Sequence, residues 1–500
     1  MLGNLQDFKK NVLAIIAGVL LTLAFSPFNY WPLVFISLAI FKLLLVGLTK
    51  KQAFFKGFLF GLGLFGSGVS WVFVSMTLDA QNGIVIPLFM TLLYCSFWAI
   101  FPALFAYLFV LLQCKQYFLN SLLFACLWIL VEYIRGEWIF NGFPWLQVAY
   151  TQLDSPLSAY IPIVGVYGAG FVILLCTVLL VDSFLIRKGR YYCISAVMII
   201  FLLGWLLQGV NWTQISGESF KAVLIQGNIA QKDKWLINNR ELTLQQYYDD
   251  TIKHWDADII IWPETAIPAF YDEVKDKYLI PLEQQAIETH TEIIISLPYL
   301  DDKTEELFNT VRVLGKQQGM YKKIHLLPFG EYLPEIPLLT SLLDKLHIRL
   351  GLFTAGDKNQ KLLYAAGHHF ITSICYEDAF GQQSIAQVEQ ARFLVNVTND
   401  AWFGHSLEPY QHMQIARMRA LESGRYLLRA TNTGITAVVS DKGIIIQQAD
   451  LMTHTIISAD IPPMKGLTPY AKLGDKPIIM LILLILGVLI SLKYKDEKIL

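Results

Sequence analysis

Three short segments of this chain gather groups that can do covalent chemistry. Ile259-Ile260-Ile261-Trp262-Pro263-Glu264 ends an apolar run on a carboxylate. Tyr321-Lys322-Lys323-Ile324-His325-Leu326-Leu327-Pro328-Phe329-Gly330-Glu331 carries two ammonium groups, an imidazole and a second carboxylate. Ser373-Ile374-Cys375-Tyr376-Glu377 ends another apolar run on a thiol. An ordinary thiol, with a pKa of about 8.5, is mostly protonated at neutral pH, and only the thiolate attacks. A carboxylate such as Glu264 can take that proton and return it to a leaving group. A cation such as Lys323 stabilises both the thiolate and an oxyanion on the substrate, and the backbone N–H after Cys375 can complete the oxyanion hole. Each residue alone has a plainer reading. A cysteine at the end of an apolar strand is usually an inert core residue. Glu264 can bind a turn, Lys322 and Lys323 can be surface charges, and His325 can be a satisfied structural histidine.

Such groups need a scaffold whose strand ends converge. Residues 211–475 have the composition of an α/β domain. Strands are expected at 221–225, 258–262, 292–297, 310–314, 369–375, 392–397, 434–439 and 455–460, with helices at 241–254, 281–288, 384–389 and 409–422. The alternation favours a layered arrangement of packed sheets. Cys375 is the single thiol of this segment among six cysteines; Cys95, Cys114, Cys126, Cys176 and Cys193 lie in or beside apolar runs. The segment therefore cannot close a disulfide on its own.

The rest of the chain is of another kind. Of 500 residues 55% are hydrophobic and only 16% charged, against about 25% charged in a typical soluble protein. Apolar runs of spanning length are expected near 11–27, 30–48, 54–76, 84–112, 118–134, 161–186 and 192–209, with an eighth near 476–492. This divides the chain into a transmembrane domain over 1–210, a catalytic domain over 211–475 and a C-terminal span with a short tail over 476–500. Lys9 and Lys10, Lys50, Lys51 and Lys56, Lys115, Arg187, Lys188 and Arg190, and Lys493, Lys495 and Lys498 flank alternate ends of these runs. The positive-inside rule then puts both termini in the cytoplasm and 211–475 outside. Residues 9–27 read as an uncleaved first span, because Ala24-Phe25-Ser26-Pro27 is a poor cleavage site. The segment from Arg135 to Leu153, with Trp138 and Trp145, reads as an aromatic belt at headgroup level or as a lipid-meeting surface beside an active site; the belt is preferred. A net charge of −1 and the lack of a basic patch with interleaved aromatics argue against a nucleic-acid partner.

Trp-Pro-Glu after an apolar strand, Lys ahead of Pro-Phe-Gly-Glu, and Cys-Tyr-Glu, in that order, resemble the nitrilase superfamily. That resemblance implies a four-layer αββα sandwich and a Glu–Lys–Cys triad: Glu264 as general base, Lys323 as oxyanion stabiliser and Cys375 as nucleophile. Lys323 is preferred to Lys322 because it stands two residues before the His of His-Leu-Leu-Pro-Phe-Gly-Glu. Glu331 matches the superfamily's additional glutamate, with Tyr376 and Glu377 in support. A nitrilase-like domain between seven spans and an eighth is, further, similar to the apolipoprotein N-acyltransferase family. Gly142-Phe143-Pro144-Trp145, Gln226-Gly227-Asn228-Ile229, the segments 396–404 and 425–434, and Gly466-Leu467-Thr468-Pro469-Tyr470 agree with it. Asn141 departs from it, where Thr is expected. The resemblance implies transfer of an acyl chain from a phospholipid to the N-terminal amine of a diacylglyceryl-cysteine lipoprotein. It implies no metal or organic cofactor, a bacterial inner-membrane location and a monomer. Both substrates are lipids, and each buried CH₂ is worth about 0.8 kcal/mol, so the site must lie near the bilayer. Trp235, Trp402 and Trp145 are candidate substrate-binding residues. The apolar stretch 338–353 is expected either to form a membrane-contacting arm that gates acyl-chain entry or to pack as a helix on the domain core. A membrane-tethered amidase or nitrilase acting on a small nitrogen compound, and a transporter with a soluble sensor domain, are the rival readings.

Overall fold

The computed structural model describes residues 2–78, 83–114, 116–334 and 353–498. It divides into two compact units: Met1–Asn211 with Ser406–Gln414 and Lys472–Leu500, and Trp212–His405 with Ile415–Ala471. Residues 406–414 thus group with the N-terminal helices, although their sequence lies within the polar segment.

The first unit is helical: α1 (Leu2–Thr22), α2 (Leu33–Leu44), α3 (Lys50–Gly68), α4 (Val72–Thr77), α5 (Val85–Leu112), α6 (Tyr117–Glu137), α7 (Ile161–Leu185), α8 (Arg190–Leu207) and a C-terminal helix Lys476–Lys498. Helices satisfy every backbone polar group within the segment, which a bilayer demands. Among the described residues five helices are long and apolar enough to cross a membrane: α5, α6, the run Pro156–Leu185, α8 and Lys476–Lys495. The first three expected spans fall on α1, α2 and α3–α4. Of these, α2 is a shorter apolar helix, α1 carries Asp7, Lys9 and Lys10, and α3 carries Lys50, Lys51 and Lys56. Small residues let α1, α3 and α5 pack closely. A Cβ added to Gly61 would stand 2.6 Å from Ala99 Cα.

Buried charge in this unit is matched locally. Lys42 Nζ donates to Asp182 Oδ1 at 2.8 Å and to Ser121 Oγ at 2.7 Å, and Ser121 donates to Asp182 Oδ2 at 2.6 Å. Arg135 donates to the carbonyls of Phe143 and Trp145 at 2.8 and 2.6 Å, while Glu132 accepts the Val148 N–H at 2.8 Å. The segment after α6 therefore differs from the expected belt. Trp138 is exposed, but residues 143–153 are buried, because Arg135 and Glu132 gather their backbone groups inward.

Among the described residues the second unit holds fourteen strands: β1 (Gln214–Ile215), β2 (Phe220–Gln226), β3 (Ile259–Ile261), β4 (Glu292–Leu300), β5 (Leu307–Leu314), β6 (Gly319–Lys322), β7 (Leu363–Ala365), β8 (His368–Ile374), β9 (Phe393–Thr398), β10 (Leu427–Thr431), β11 (Ala437–Val439), β12 (Ile445–Gln448), β13 (Thr455–Ile461) and β14 (Met464–Lys465). They form sheets in the orders β13-β2-β3-β4-β5-β6 and β12-β11-β10-β9-β8-β7, besides the β1–β14 pair. Each large sheet has a parallel centre, β2-β3-β4 and β8-β9-β10. Central strands buried on both faces read as continuous apolar runs, as in Ile259-Ile260-Ile261. One core lies between the sheets, with Leu224, Ile261, Ile294 and Val311 meeting Ile374, Val395, Val397 and Leu428. Leu244 and Tyr247 of helix Ile237–Thr251, with Leu282 and Ala286 of helix Ile280–Thr289, cover the outer face of the first sheet. The outer face of the second sheet is lined by Ile371, Leu394 and Leu427 together with Arg419 of helix Glu408–Ser423. The result is the expected αββα sandwich. The apolar stretch 338–353 lies outside the described residues except Phe353, whose N–H donates to the Glu331 carbonyl at 3.1 Å.

Candidate active site

Glu264 stands just past β3, where Pro263 removes a ladder donor and Thr265 adopts φ +47°. The Thr265 N–H donates to Ser296 Oγ at 3.0 Å, which fixes this turn. Lys323 follows β6, with its own N–H on the Asn309 carbonyl at 2.9 Å. Its side chain is 1% exposed and lies 2.8 Å from Glu331 and 3.8 Å from Glu264. Asn309 Nδ2 bridges the same two carboxylates, at 2.8 Å to Glu264 and 3.1 Å to Glu331. Burial works against the Lys323 charge, but Glu331 and Glu264 outweigh it, so the pKa rises and the ammonium is permanent at physiological pH. Lys322 faces elsewhere, 3.5 Å from Asp301 and 3.7 Å from the Phe308 ring centroid.

Cys375 directly follows β8 with φ +52°, a conformation that a non-glycine residue rarely adopts. Glu377 holds it there. This wholly buried carboxylate accepts the Ile374 N–H at 2.7 Å, the Ile324 N–H at 2.6 Å, the His325 N–H at 3.1 Å and the Tyr321 hydroxyl at 2.9 Å. One side chain thus ties the end of β8 to the segment that carries Lys323. Burial raises the Glu377 pKa, opposed by Lys323 and by the backbone donors. The Cys375 thiol is pushed well up by burial and then by Glu264, with Lys323 opposing and Asp400 and Glu331 adding to the rise. The thiolate is therefore a high-energy form unless cations act on it.

Behind Cys375 lies a buried network. Asn396 Nδ2 donates to Ser373 Oγ at 3.0 Å and approaches the Cys375 carbonyl at 3.5 Å. Arg429 donates to Asn396 Oδ1 at 2.5 Å, Asp378 at 3.0 Å and Asp400 at 3.1 Å. This network and Asn309 escaped sequence reasoning as site residues. The segments 396–404 and 425–434 were visible as motifs, but nothing local marked which of their side chains turn inward.

Tyr376 is buried, edge-on to Phe380 at 5.4 Å. His325 stacks on the same Phe380 at 4.1 Å; its Nδ1 has no hydrogen-bond partner among the described residues, so it is a stacked histidine rather than a satisfied one. Trp235 and Trp402 expose 53% and 38% of their surface. Trp145 belongs to the helical unit, is 2% exposed and donates its indole N–H to Gln411 Oε1 at 2.7 Å.

An αββα sandwich with a carboxylate-flanked lysine and a strand-end cysteine, in a chain with transmembrane helices, defines a membrane-attached carbon-nitrogen hydrolase fold. Residues 221–469 match the carbon-nitrogen hydrolase family, and residues 17–179 match the apolipoprotein N-acyltransferase N-terminal domain. The chain is 41% identical to the apolipoprotein N-acyltransferase of Methylococcus capsulatus over 98% of its own length and 97% of that protein's. It is 36% identical to that of Nitrosomonas europaea, covering 96% and 97%, and 36% identical to that of Coxiella burnetii, covering 95% and 99%. This chain belongs to the apolipoprotein N-acyltransferase family. Among solved structures, Saccharomyces cerevisiae Nit3 aligns with 18% identity and a TM-score of 0.39, over 50% of this chain and 93% of that one.

Proposed function

We propose that this protein moves an acyl chain from a membrane phospholipid to the N-terminal amine of a diacylglyceryl-cysteine lipoprotein, through a thioester on Cys375. The observation that carries the reading is the placement of Lys323 between Glu264 and Glu331 beside the strand end that bears Cys375, in a chain of this family. Glu264 takes the thiol proton, and the Cys375 sulfur attacks the ester carbonyl of the phospholipid. Lys323 and the Tyr376 N–H hold the resulting oxyanion. Glu264 returns the proton to the leaving oxygen, lysophospholipid departs, and the acyl group remains on sulfur. The lipoprotein amine then attacks the thioester, Glu264 takes its proton, and the thiol is restored as the amide forms. Glu331 positions Lys323, while Glu377 and Tyr376 support the strand end. Trp235 and Trp402, both partly exposed, contact the lipid substrates.

The catalytic domain, 211–475, faces the periplasm of a bacterial inner membrane, with both termini in the cytoplasm; the lysines and arginines at alternate helix ends support this orientation. The protein acts as a monomer without metal or organic cofactor. The test is mass spectrometry of purified protein incubated with a dipalmitoyl phospholipid. The Cys375 peptide should gain one palmitoyl group, labile to hydroxylamine and discharged by a diacylglyceryl lipopeptide. A protein that hydrolyses small amides while Cys375 gains no acyl group would overturn the reading.

A further inference from the structure

Lys234 is buried against the turn that bears Glu264, and no step described so far uses it. It ends the short helix Gln231–Lys234, immediately before the exposed Trp235. The segment that carries it is pinned at several points. The Asn228 N–H donates to the Asn432 carbonyl at 2.8 Å, Asn432 exchanges hydrogen bonds with the Ile229 backbone at 2.8 and 2.9 Å, and Asn399 donates to Gln231 Oε1 at 2.9 Å. Lys234 therefore does not sample solvent: its side chain is 2% exposed. Its ammonium makes one hydrogen bond among the described residues, to the Glu264 main-chain carbonyl at 3.2 Å. The charged groups that act on it are Glu264 and Cys375.

A buried ammonium with a single neutral acceptor is costly, and a protein keeps one where its charge serves a neighbour. Around Cys375 the fixed charges are the carboxylates Glu264, Glu331 and Asp400 and the ammonium of Lys323. Ionising the thiol adds a further negative charge beside Glu264 and Glu331, which share the one ammonium of Lys323, while Asp400 is held by Arg429. We propose that Lys234 is the second cation of the site: it anchors the turn bearing Glu264 through the carbonyl and lowers the cost of the Cys375 thiolate through its charge. It is a positioning residue, because it acts through Glu264 and through its field on the thiol. Burial pushes its own pKa down to about 8, with Glu264 and Cys375 resisting, so the charge is present at pH 7 and lost at higher pH. This predicts a pH signature that a purely structural role would not produce.

The inference rests on Cys375 as the nucleophile, but its test needs no acyl donor. The full chain, in detergent free of phospholipid and cleared of thioester by hydroxylamine, is alkylated with iodoacetamide from pH 6 to pH 10. Modification is read on the Cys375 peptide. Lys234→Gln keeps a donor for the Glu264 carbonyl and removes the charge. Its alkylation rate at pH 7 should fall about tenfold, corresponding to about one pH unit in the thiol, and the gap should close above pH 8. Lys234→Arg should stay close to wild type. If Lys234→Gln does not yield folded protein, Lys234→Met is judged by the same ratio. A ratio near one at pH 7, or a loss of equal size at pH 7 and at pH 9.5, overturns the proposal. Either result leaves palmitoylation of Cys375 in the wild type as a separate test of the acyl-transfer reading.

Discussion

The helical and the sheet units both bury charge, and they do so in opposite ways. In the helices the groups around Lys42 and Arg135 are matched by close partners. Lys42 serves Ser121 and Asp182, and Ser121 and Asp182 also bond each other. Arg135 spends itself on two backbone carbonyls beside Glu132. In the sheet unit cations are shared. Lys323 lies between two carboxylates; among the described residues Arg429 spans Asp378, Asp400 and Asn396 with its Nε unbonded, and Lys234 has one carbonyl. Closed groups hold elements together. Shared groups around a strained strand end produce a field that responds when the thiol changes charge. Buried charge alone therefore does not mark a candidate site; incomplete matching beside a strained strand-end thiol does.

The sharpest way to break this contrast is to remove one lysine from each unit. Lys323→Met should lower acyl transfer by about 10³-fold or more, the scale of losing an oxyanion stabiliser, with Glu264→Gln in the same range. Lys42→Met should leave the rate per folded molecule within a few-fold. It should instead reduce stability by about 3–5 kcal/mol, because Asp182 stays buried without its cation, and Lys42→Met with Asp182→Leu should recover much of that loss. The measurements are palmitoyl transfer to a lipopeptide and thermal melting in detergent. A thousandfold loss of activity in folded Lys42→Met would erase the distinction between the units.

Arg429 lies between these extremes. It is fully buried, and two carboxylates depend on it. Arg429→Met should destabilise the sheet unit by about 3–5 kcal/mol and, in the fraction that folds, loosen the support behind Cys375. Limited proteolysis should show early cleavage within 212–405, while the transmembrane helices stay intact. Unchanged proteolysis would mean that Asp378 and Asp400 tolerate burial without this cation.

What the sequence disclosed follows the same physics. The ends of β3 and β8 were legible because continuous apolar runs stop at Pro263-Glu264 and at Cys375, so strand and reactive group share one local pattern. All eight expected strands exist. β1, β6, β7, β12 and β14 were missed because they are short edge segments, and β10 because Arg429 interrupts its apolar run although its side chain is buried. Pairing is not local. Asn309 meets Lys323 because β5 and β6 pair with Thr310 opposite Lys322, and no spacing rule announces that register. Lys234 was illegible for a further reason: one turn of polar helix, Gln-Lys-Asp-Lys, looks solvated until Asn399 and Asn432 hold it inward. In the helical unit the apolar runs located the helices, but the inward fold of residues 143–153 depends on Arg135 and Glu132 capturing backbone groups.

The smallest expected effect concerns His325, whose environment belongs to neither class: it is half-buried, its Nδ1 has no partner among the described residues, and Lys358 and Lys323 act on it. It stacks on Phe380, and burial, reinforced by Lys358 and Lys323, pushes its pKa down to about 4. An unfolded chain protonates this imidazole near its ordinary value of about 6.5. Between those values the unfolded state holds a proton that the folded state refuses, so stability falls as pH drops from about 6.5 towards 4 and is fully present above that window. Glu377, whose pKa is raised by burial, pulls the other way near the acidic end. The His325 share is therefore read as a difference between variants. His325→Phe preserves the stacked ring and removes the titration. Its melting temperature should drop less between pH 7 and pH 4.5 than that of the wild type, by a few degrees. Parallel curves for the two proteins would show that the imidazole carries a proton in the folded state, and that the cations around it are more fully neutralised than their geometry implies.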